Sequence, residues 1–332
     1  MKISEWGEEN IIESIKDLFA LPLPIKGIGD DCAVIPLGDN KSLLVTKDLL
    51  VESVHFFPSI SPRDLGYKSV MVNISDIAAM GGTAKYLFLG MGLPSSLEKE
   101  WVDKFFEGFR EACSLENVVL LGGDTVGSPN EIFLSITALG EAPNDRVKYR
   151  SSAQEGDLIC VTGLLGESAV GLQCLIHPVP ESQDVSHVLK KHLRPSAHSQ
   201  QGLFLSHYPG VHAMADISDG LHRDLANILK SSNMGAVINM EQIPLSLEAK
   251  KICRAQGWDY ESLALTGGED YSLLLTISPE EHKNIHENFH KTFACPLYKI
   301  GYITKNAGAI YLKNGHPYRV ENPAFNHFKE VK

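Results

Sequence analysis

Five short acidic motifs, far apart along the chain, constrain its fold more than any other feature. They are Gly29-Asp30-Asp31, Thr46-Lys47-Asp48, Asn73-Ile74-Ser75-Asp76, Gly122-Gly123-Asp124-Thr125 and Asp216-Ile217-Ser218-Asp219-Gly220. Each stands in Gly-, Ser- or Thr-bearing surroundings. Carboxylates repel one another and are expensive to bury, so a fold that gathers them needs cations. An all-oxygen donor set favours Mg2+, Mn2+ or Ca2+ over Zn2+. Convergence of these motifs would make a device for holding metal-complexed phosphates.

Taken one at a time, the motifs have plainer explanations. Gly29-Asp30-Asp31 reads as a turn before a strand. Ser218 or Asp219 reads as the cap of a following helix, although the same geometry also makes an anion or metal site. Gly122-Gly123-Asp124-Thr125 follows the apolar run 118–121. It reads as a turn whose backbone amides can approach a phosphate while Asp124 holds a metal. Asp76 resists such an account. It falls inside a helical pattern among Ile74, Ile77, Ala78 and Ala79, where an aspartate is a poor helix former and costly on an apolar face.

Helical spacing predicts an opening helix over 4–19 and a second over 61–80. Ser61-Pro62-Arg63-Asp64 supplies the start of the second, with Ser61 as cap, and Gly81-Gly82 supplies its stop. A further helix is predicted over 97–115, and strands over 31–36, 42–47, 85–91, 118–121 and 132–139. The polar stretch 141–157 predicts a domain boundary. Beyond it, strands are predicted over 158–162, 213–217, 236–240, 271–277 and 298–304, with a helix over 218–230. The stretch 178–195 reads as irregular. The expected class is α/β (α+β), with mixed sheets flanked by helices in two domains, 1–145 and 146–332. Ile74-Ser75-Asp76 and Ile217-Ser218-Asp219 echo one another, one in each half.

Charge and composition bound the function. The 332-residue chain has a net charge of -11, which argues against nucleic-acid binding. No apolar run approaches the length needed to cross a membrane. The start Met1-Lys2-Ile3-Ser4-Glu5 predicts no signal peptide. Six cysteines without a CxxC pair read as reduced, buried apolar residues of a cytoplasmic protein. His282, His286 and His290 share a helix face with acidic and basic neighbours and read as solvated. There is no GxxxxGK[ST], kinase catalytic loop, GxSxG or HExxH, so phosphate chemistry here needs another scaffold.

In this order and spacing, the motifs resemble the thiamine-monophosphate kinase family. That family belongs to the superfamily of aminoimidazole ribonucleotide synthetase, selenophosphate synthetase and hydrogenase-maturation proteins. Val45-Thr46-Lys47-Asp48 with His55, and Thr266-Gly267-Gly268-Glu269-Asp270-Tyr271, point to the kinase branch. The resemblance implies ATP-dependent phosphorylation of thiamine monophosphate to the diphosphate with several Mg2+ ions. It further implies a homodimer with the nucleotide site near the subunit interface.

By the same resemblance Asp30, Thr46, Lys47 (through its backbone), Asp48, Asp76, Asp124, Asp216 and Asp219 fall at Mg2+ positions. Phe106, Gly123, Asp124, Arg150 and Ser218 fall at nucleotide positions, Phe106 standing where the family usually carries tyrosine. His55, Glu269 and Phe325 fall at thiamine-phosphate positions. Two rival readings share most of these features: another ATP-dependent synthetase of the superfamily, and a non-catalytic metal–nucleotide sensor.

Overall fold

The computed structural model describes residues 2–19 and 21–321. Phe325, expected at the acceptor, lies outside them. The first half contains α1 (Ile3–Trp6), α2 (Glu8–Leu18), β1 (Ala33–Gly38), β2 (Lys41–Val51), α3 (Pro62–Ala79), β3 (Thr83–Pro94), α4 (Lys99–Glu116), β4 (Val119–Ser128) and β5 (Phe133–Pro143). The single opening helix predicted from the spacing is two helices, because Gly7 breaks it at φ +81°.

The five strands form a mixed sheet ordered β1-β2-β5-β3-β4, in which only β3 and β4 run parallel. One face is covered. Leu44 and Leu50 of β2, Leu87 and Leu89 of β3, and Leu134 and Ile136 of β5 pack against α3 and α4. The other face leaves Leu49, Phe88, Val126 and Phe133 exposed.

Helix α3 is the axle of the molecule. Fourteen of its eighteen residues are buried, a pattern that only a helix covered on all sides tolerates. Helix α4 covers one side and the sheet another. The second half covers the third, where Ala78 and Ala79 join its core. The α3–α4 contact is glycine-mediated: a Cβ on Gly108 would lie 1.7 Å from the Arg63 carbonyl oxygen, and one on Gly66 2.0 Å from that of Phe105. Helix α3 starts where predicted but not as predicted. Ser61 makes no capping bond, and Asp64 instead accepts from Arg194 Nη1 at 3.0 Å. A contact from the second half has replaced the local one.

After a 3-10 turn at Arg150–Ser152, the second half comprises β6 (Leu158–Val161), α5 (Glu167–Ile176), α6 (Gln183–Leu193), α7 (Ser199–Ser206), β7 (Val211–Asp216), α8 (Leu221–Ser232), β8 (Gly235–Asn239), α9 (Leu247–Gln256), α10 (Tyr260–Thr266), β9 (Leu273–Ile277), α11 (Pro279–Phe293), β10 (Tyr298–Thr304), β11 (Gly308–Lys313) and β12 (His316–Tyr318). The sheet order is β12-β11-β8-β10-β6-β9-β7. Its two faces carry separate cores, one beneath α5, α8, α9 and α10 and one beneath α7 and α11.

The stretch read as irregular holds α6, whose Val185 and Val188 are buried. Its apolar positions are few, and packing on α5 and α9 completes it. Edge strand β7 faces α3, and that junction builds the site.

No helix among the described residues is long and apolar enough to cross a membrane. Gly108→Ala is expected to lose about 1–3 kcal/mol of stability through overpacking of the α3–α4 contact, read as a lower urea midpoint at unchanged slope.

Candidate metal and phosphate site

Four of the five acidic motifs meet where sheet one, α3 and β7 come together. Asp30 and Asp31 sit in the loop before β1. Thr46 and Asp48 lie on the covered face of β2, in the alternation that buries Leu44 and Leu50. Asp76 projects from the last turns of α3. Asp216 ends β7, and Ser218 and Asp219 follow it. One oxygen each from Asp31, Asp76 and Asp216 lies within 4.8 Å of the others.

Short polar links fix these elements. Thr46 Oγ1 donates to Asp76. Buried Asn73, one helical turn before Asp76, accepts the Asp48 amide at 3.2 Å. The spacing Asn73-Ile74-Ser75-Asp76 therefore places a β2 anchor and a ligand on one face of α3. From the same helix Ser75 Oγ donates to Asp216 Oδ2 at 2.6 Å, tying the two halves together. The Arg150 amide donates to Asp30 Oδ1 at 2.7 Å, and its guanidinium forks onto both oxygens of Asp31.

The electrostatics of this pocket are adverse to anions. Burial, then Asp219, pushes the Asp48 carboxyl up to about 6. Burial, then Asp31, pushes Asp216 up to about 8. Asp76 is raised well above its ordinary range by burial and by Asp48, Asp216 and Asp31. Asp224, on α8, is raised in the same way by burial, Asp219 and Asp216.

Among the described residues, the Asp216 Oδ1 atom is buried without a hydrogen-bond partner. A buried orphan oxygen among converging carboxylates is a ligand position for a hard divalent cation. The donor set fits one. Asp31, Asp76 and Asp216, with Asp30, Thr46 and Asp48 around them, are the residues that could hold it.

A second cluster gathers around Glu269. This residue has φ +65°, in the left-handed region. Its amide donates to the Ser218 carbonyl at 2.8 Å, so the 267–271 loop lies directly on the 216–220 turn. A Cβ on Gly268 would come within 2.4 Å of that same oxygen. Lys68 Nζ lies 2.8 Å from Glu269 Oε1 and His192 Nδ1 lies 3.1 Å from Oε2. Burial would raise the Glu269 carboxyl, and the Lys68 ammonium beside it outweighs that and holds it below its ordinary range. The His55 Nδ1 accepts the Val51 amide at 3.0 Å, which leaves its proton on Nε2.

Residues 29–142 match the family "AIR synthase related protein, N-terminal domain", and residues 154–313 match its C-terminal domain. The chain is 38% identical over 312 residues to the thiamine-monophosphate kinase of Haemophilus influenzae, covering 92% of both chains. It belongs to the thiamine-monophosphate kinase family. Its fold matches AaThiL complexed with AMPPCP and TMP at a TM-score of 0.87 and 33% identity, covering 98% of this chain and 99% of that one. The thiamine-monophosphate kinase of Aquifex aeolicus matches at 0.82 and 32%, covering 96% and 99%.

Against that family's expected positions, the structure brings Asp30, Thr46, Asp48, Asp76, Arg150, Asp216, Ser218 and Asp219 together, with His55 and Glu269 beside them. The Lys47 side chain points to the open face of sheet one, where Nζ donates to Ser135 Oγ and Thr137 Oγ1. Only its backbone lies on the site side.

Gly122-Gly123-Asp124-Thr125 is not the turn predicted. It continues β4, because glycine lets the strands close up: a Cβ on Gly123 would lie 1.8 Å from the Leu89 carbonyl oxygen. Asp48, Ile136, Leu89 and Gly123 stand in one row across four strands. At the usual strand spacing, Gly123 is therefore about 14 Å from Asp48. Asp124 pairs with Gly90 on the opposite, open face and is exposed. Phe106 lines a cleft of about 590 Å³ between α4 and β4 with Phe109, Val118, Val119 and Leu120. In a single copy, Phe106, Gly123 and Asp124 stand apart from the carboxylate pocket.

Three participants went unremarked in the sequence as site residues. Asp31 was visible as half of an Asp-Asp pair. Lys68 and His192 gave no signal, since only the folded chain places them on Glu269.

The raised carboxyls have a consequence for stability. A folded-state pKa above the unfolded value near 3.8 stabilises at low pH, and that contribution is lost as pH rises through the folded pKa. With chelator present, the melting temperature is expected to fall between about pH 5 and about pH 8 as Asp48 and Asp216 ionise. Asp216→Asn should flatten that fall and Mg2+ should reverse it; a melting temperature that climbs across the window would contradict the assignment.

Proposed function

We propose that the chain transfers the γ-phosphoryl group of ATP to thiamine monophosphate, giving thiamine diphosphate and ADP. The observation that carries this reading is the buried carboxylate set drawn from both halves. It occurs in a chain nearly coextensive with a protein solved with AMPPCP and TMP.

The chemistry asks little of acids and bases. The acceptor is a phosphate monoester, with a second pKa of about 6, so it is already largely dianionic at neutral pH. One of its oxygens attacks the γ-phosphorus, a new P–O–P bond forms, and the bond to the β-phosphate oxygen breaks. The obstacle is the repulsion between two polyanions. Bound Mg2+ would supply charge neutralisation and alignment. Asp30, Asp48, Asp76 and Asp216, with Asp31 and the Thr46 hydroxyl, would hold it. Asp219 stands beside Asp48 and Asp224 to extend the set. Arg150, kept charged by Asp31 against the effect of burial, would offer phosphate oxygens the guanidinium donors that its Asp31 contacts do not use. Glu269 and His55 would face the cationic thiazolium end, and Phe325 would stack on it.

The working unit in this reading is a homodimer in the cytoplasm. Its support is the open face of sheet one. Leu49, Phe88, Val126 and Phe133 are exposed there beside the unpaired edge of β4, an arrangement that proteins rarely leave bare. In this reading the β4 edge of one copy, with Asp124 on the open face and Gly123 next to it, would lie at the seam with its partner. In this reading the chain divides into domains at 145–146, between β5 and the 3-10 turn. Six free cysteines, five of them buried, suit a reducing compartment.

Asp76→Asn is expected to abolish thiamine diphosphate formation from ATP, Mg2+ and thiamine monophosphate while leaving the far-UV circular dichroism unchanged. Near-normal turnover would count decisively against the reading, as would full activity of the parent protein in excess chelator. Phe88→Glu is expected to shift the protein to a monomer by sedimentation and to lower turnover; an unchanged dimer would exclude this face as the interface.

A further inference from the structure

Lys68 is an uncommon residue: a lysine on a helix interior whose side chain is 1% exposed. It sits on α3, and its ammonium faces Glu269 of the second half, whose side chain keeps 25% exposure. The charge is therefore behind the carboxylate, not in the pocket. The other carboxylate oxygen meets His192 Nδ1 on α6, and that nitrogen is also 3.0 Å from Ser168 Oγ on α5. Below, the Glu269 backbone is tied to Ser218. A left-handed, nearly enclosed glutamate is thus clamped on three sides, with one side open.

We infer that Lys68 is a positioning residue for the acceptor, fixing Glu269 as an ionised carboxylate aimed at the cationic ring. Burial alone would favour the neutral acid at Glu269; the ammonium reverses that preference. The same helix carries Asp76 eight residues on, about 12 Å along the axis. Helix α3 therefore holds both ends of the acceptor at a set separation. Its C-terminal turns hold the metal–phosphate end through Asp76. Its middle holds the ring end through Lys68 and Glu269. Acceptor selection by charge and length follows from a single rigid element.

This inference rests on the proposed activity, and the two are separable by experiment. Steady-state constants for ATP and thiamine monophosphate would be measured for the parent protein, Lys68→Met, Glu269→Gln and the double variant. Loss of a charge-assisted contact is expected to raise KM for thiamine monophosphate about tenfold or more in Lys68→Met. KM for ATP should stay within about twofold, because Ser218, the nucleotide position that touches this cluster, does so through a backbone hydrogen bond that neither substitution removes. The double variant should match Glu269→Gln alone, since Lys68 acts only through Glu269.

If Lys68→Met leaves a buried carboxylate that prevents folding, the double variant removes both charges and carries the test. Equal rises in both KM values, or additive losses in the double variant, would overturn the inference. So would an unchanged KM for thiamine monophosphate in Glu269→Gln. A parent protein that cannot phosphorylate thiamine monophosphate would instead sink the proposed activity itself.

Discussion

Mutual repulsion among buried carboxylates is the constraint on which the rest of this structure turns. Asp31, Asp76 and Asp216 bring oxygens within 4.8 Å of one another in a pocket that pushes the Asp76 and Asp216 carboxyls upward. A protein gains nothing in stability from such a set. The arrangement persists because the cores on either side are large and apolar, and because Ser75, Thr46 and Arg150 donate to the carboxylates while Asn73 accepts the backbone amide of Asp48. Strain concentrated in this way at one place is what a preorganised cation site looks like before its cations are counted.

Placement of the pocket follows from α3. A helix buried on all sides can collect contacts from both sheets, and α3 does so with successive residues. Asn73 anchors β2, Ser75 anchors β7 and Asp76 enters the pocket, while Lys68 reaches Glu269 two turns earlier. The two halves consequently meet along the helix that carries the chemistry. Glycines at 66 and 108 let α4 press against it, so its position is set by close packing as well as by polar contacts.

Family membership and physical reading agree on the class of reaction and differ in what they supply. The relatives point to the acceptor. The ionisation of a phosphate monoester supplies the reason that no general base is needed, and the structure separates the carboxylate pocket from the β4 positions that the family associates with nucleotide. That separation is what makes the bare face of sheet one informative. An exposed strand edge with apolar residues on an uncovered face is a liability in a monomer, and covering it solves two problems at once.

Local chemistry made much of the fold readable. The α3 boundaries, the strand at Tyr298–Thr304 and the helix over 99–116 follow from apolar spacing and from the proline and glycine stops around them. Asp76 was conspicuous because an aspartate in an apolar helix needs a reason. What failed was local reading overruled by distant partners. Ser61 lost its capping role to the Asp64–Arg194 pair, the double glycine at 122–123 served close strand packing instead of a turn, and α6 formed on neighbours its sequence does not name.

The sequence by itself determined the ligand types, the two-sheet class and the family, because oxygen donors, hydrophobic periods and motif order are written in the residues. Only the tertiary structure decided which aspartates share a pocket, that Asp124 lies on the far face of its sheet, and that Lys68 stands behind Glu269. Those outcomes depend on strand register and on how two halves dock, and both are set by packing between segments far apart in the chain.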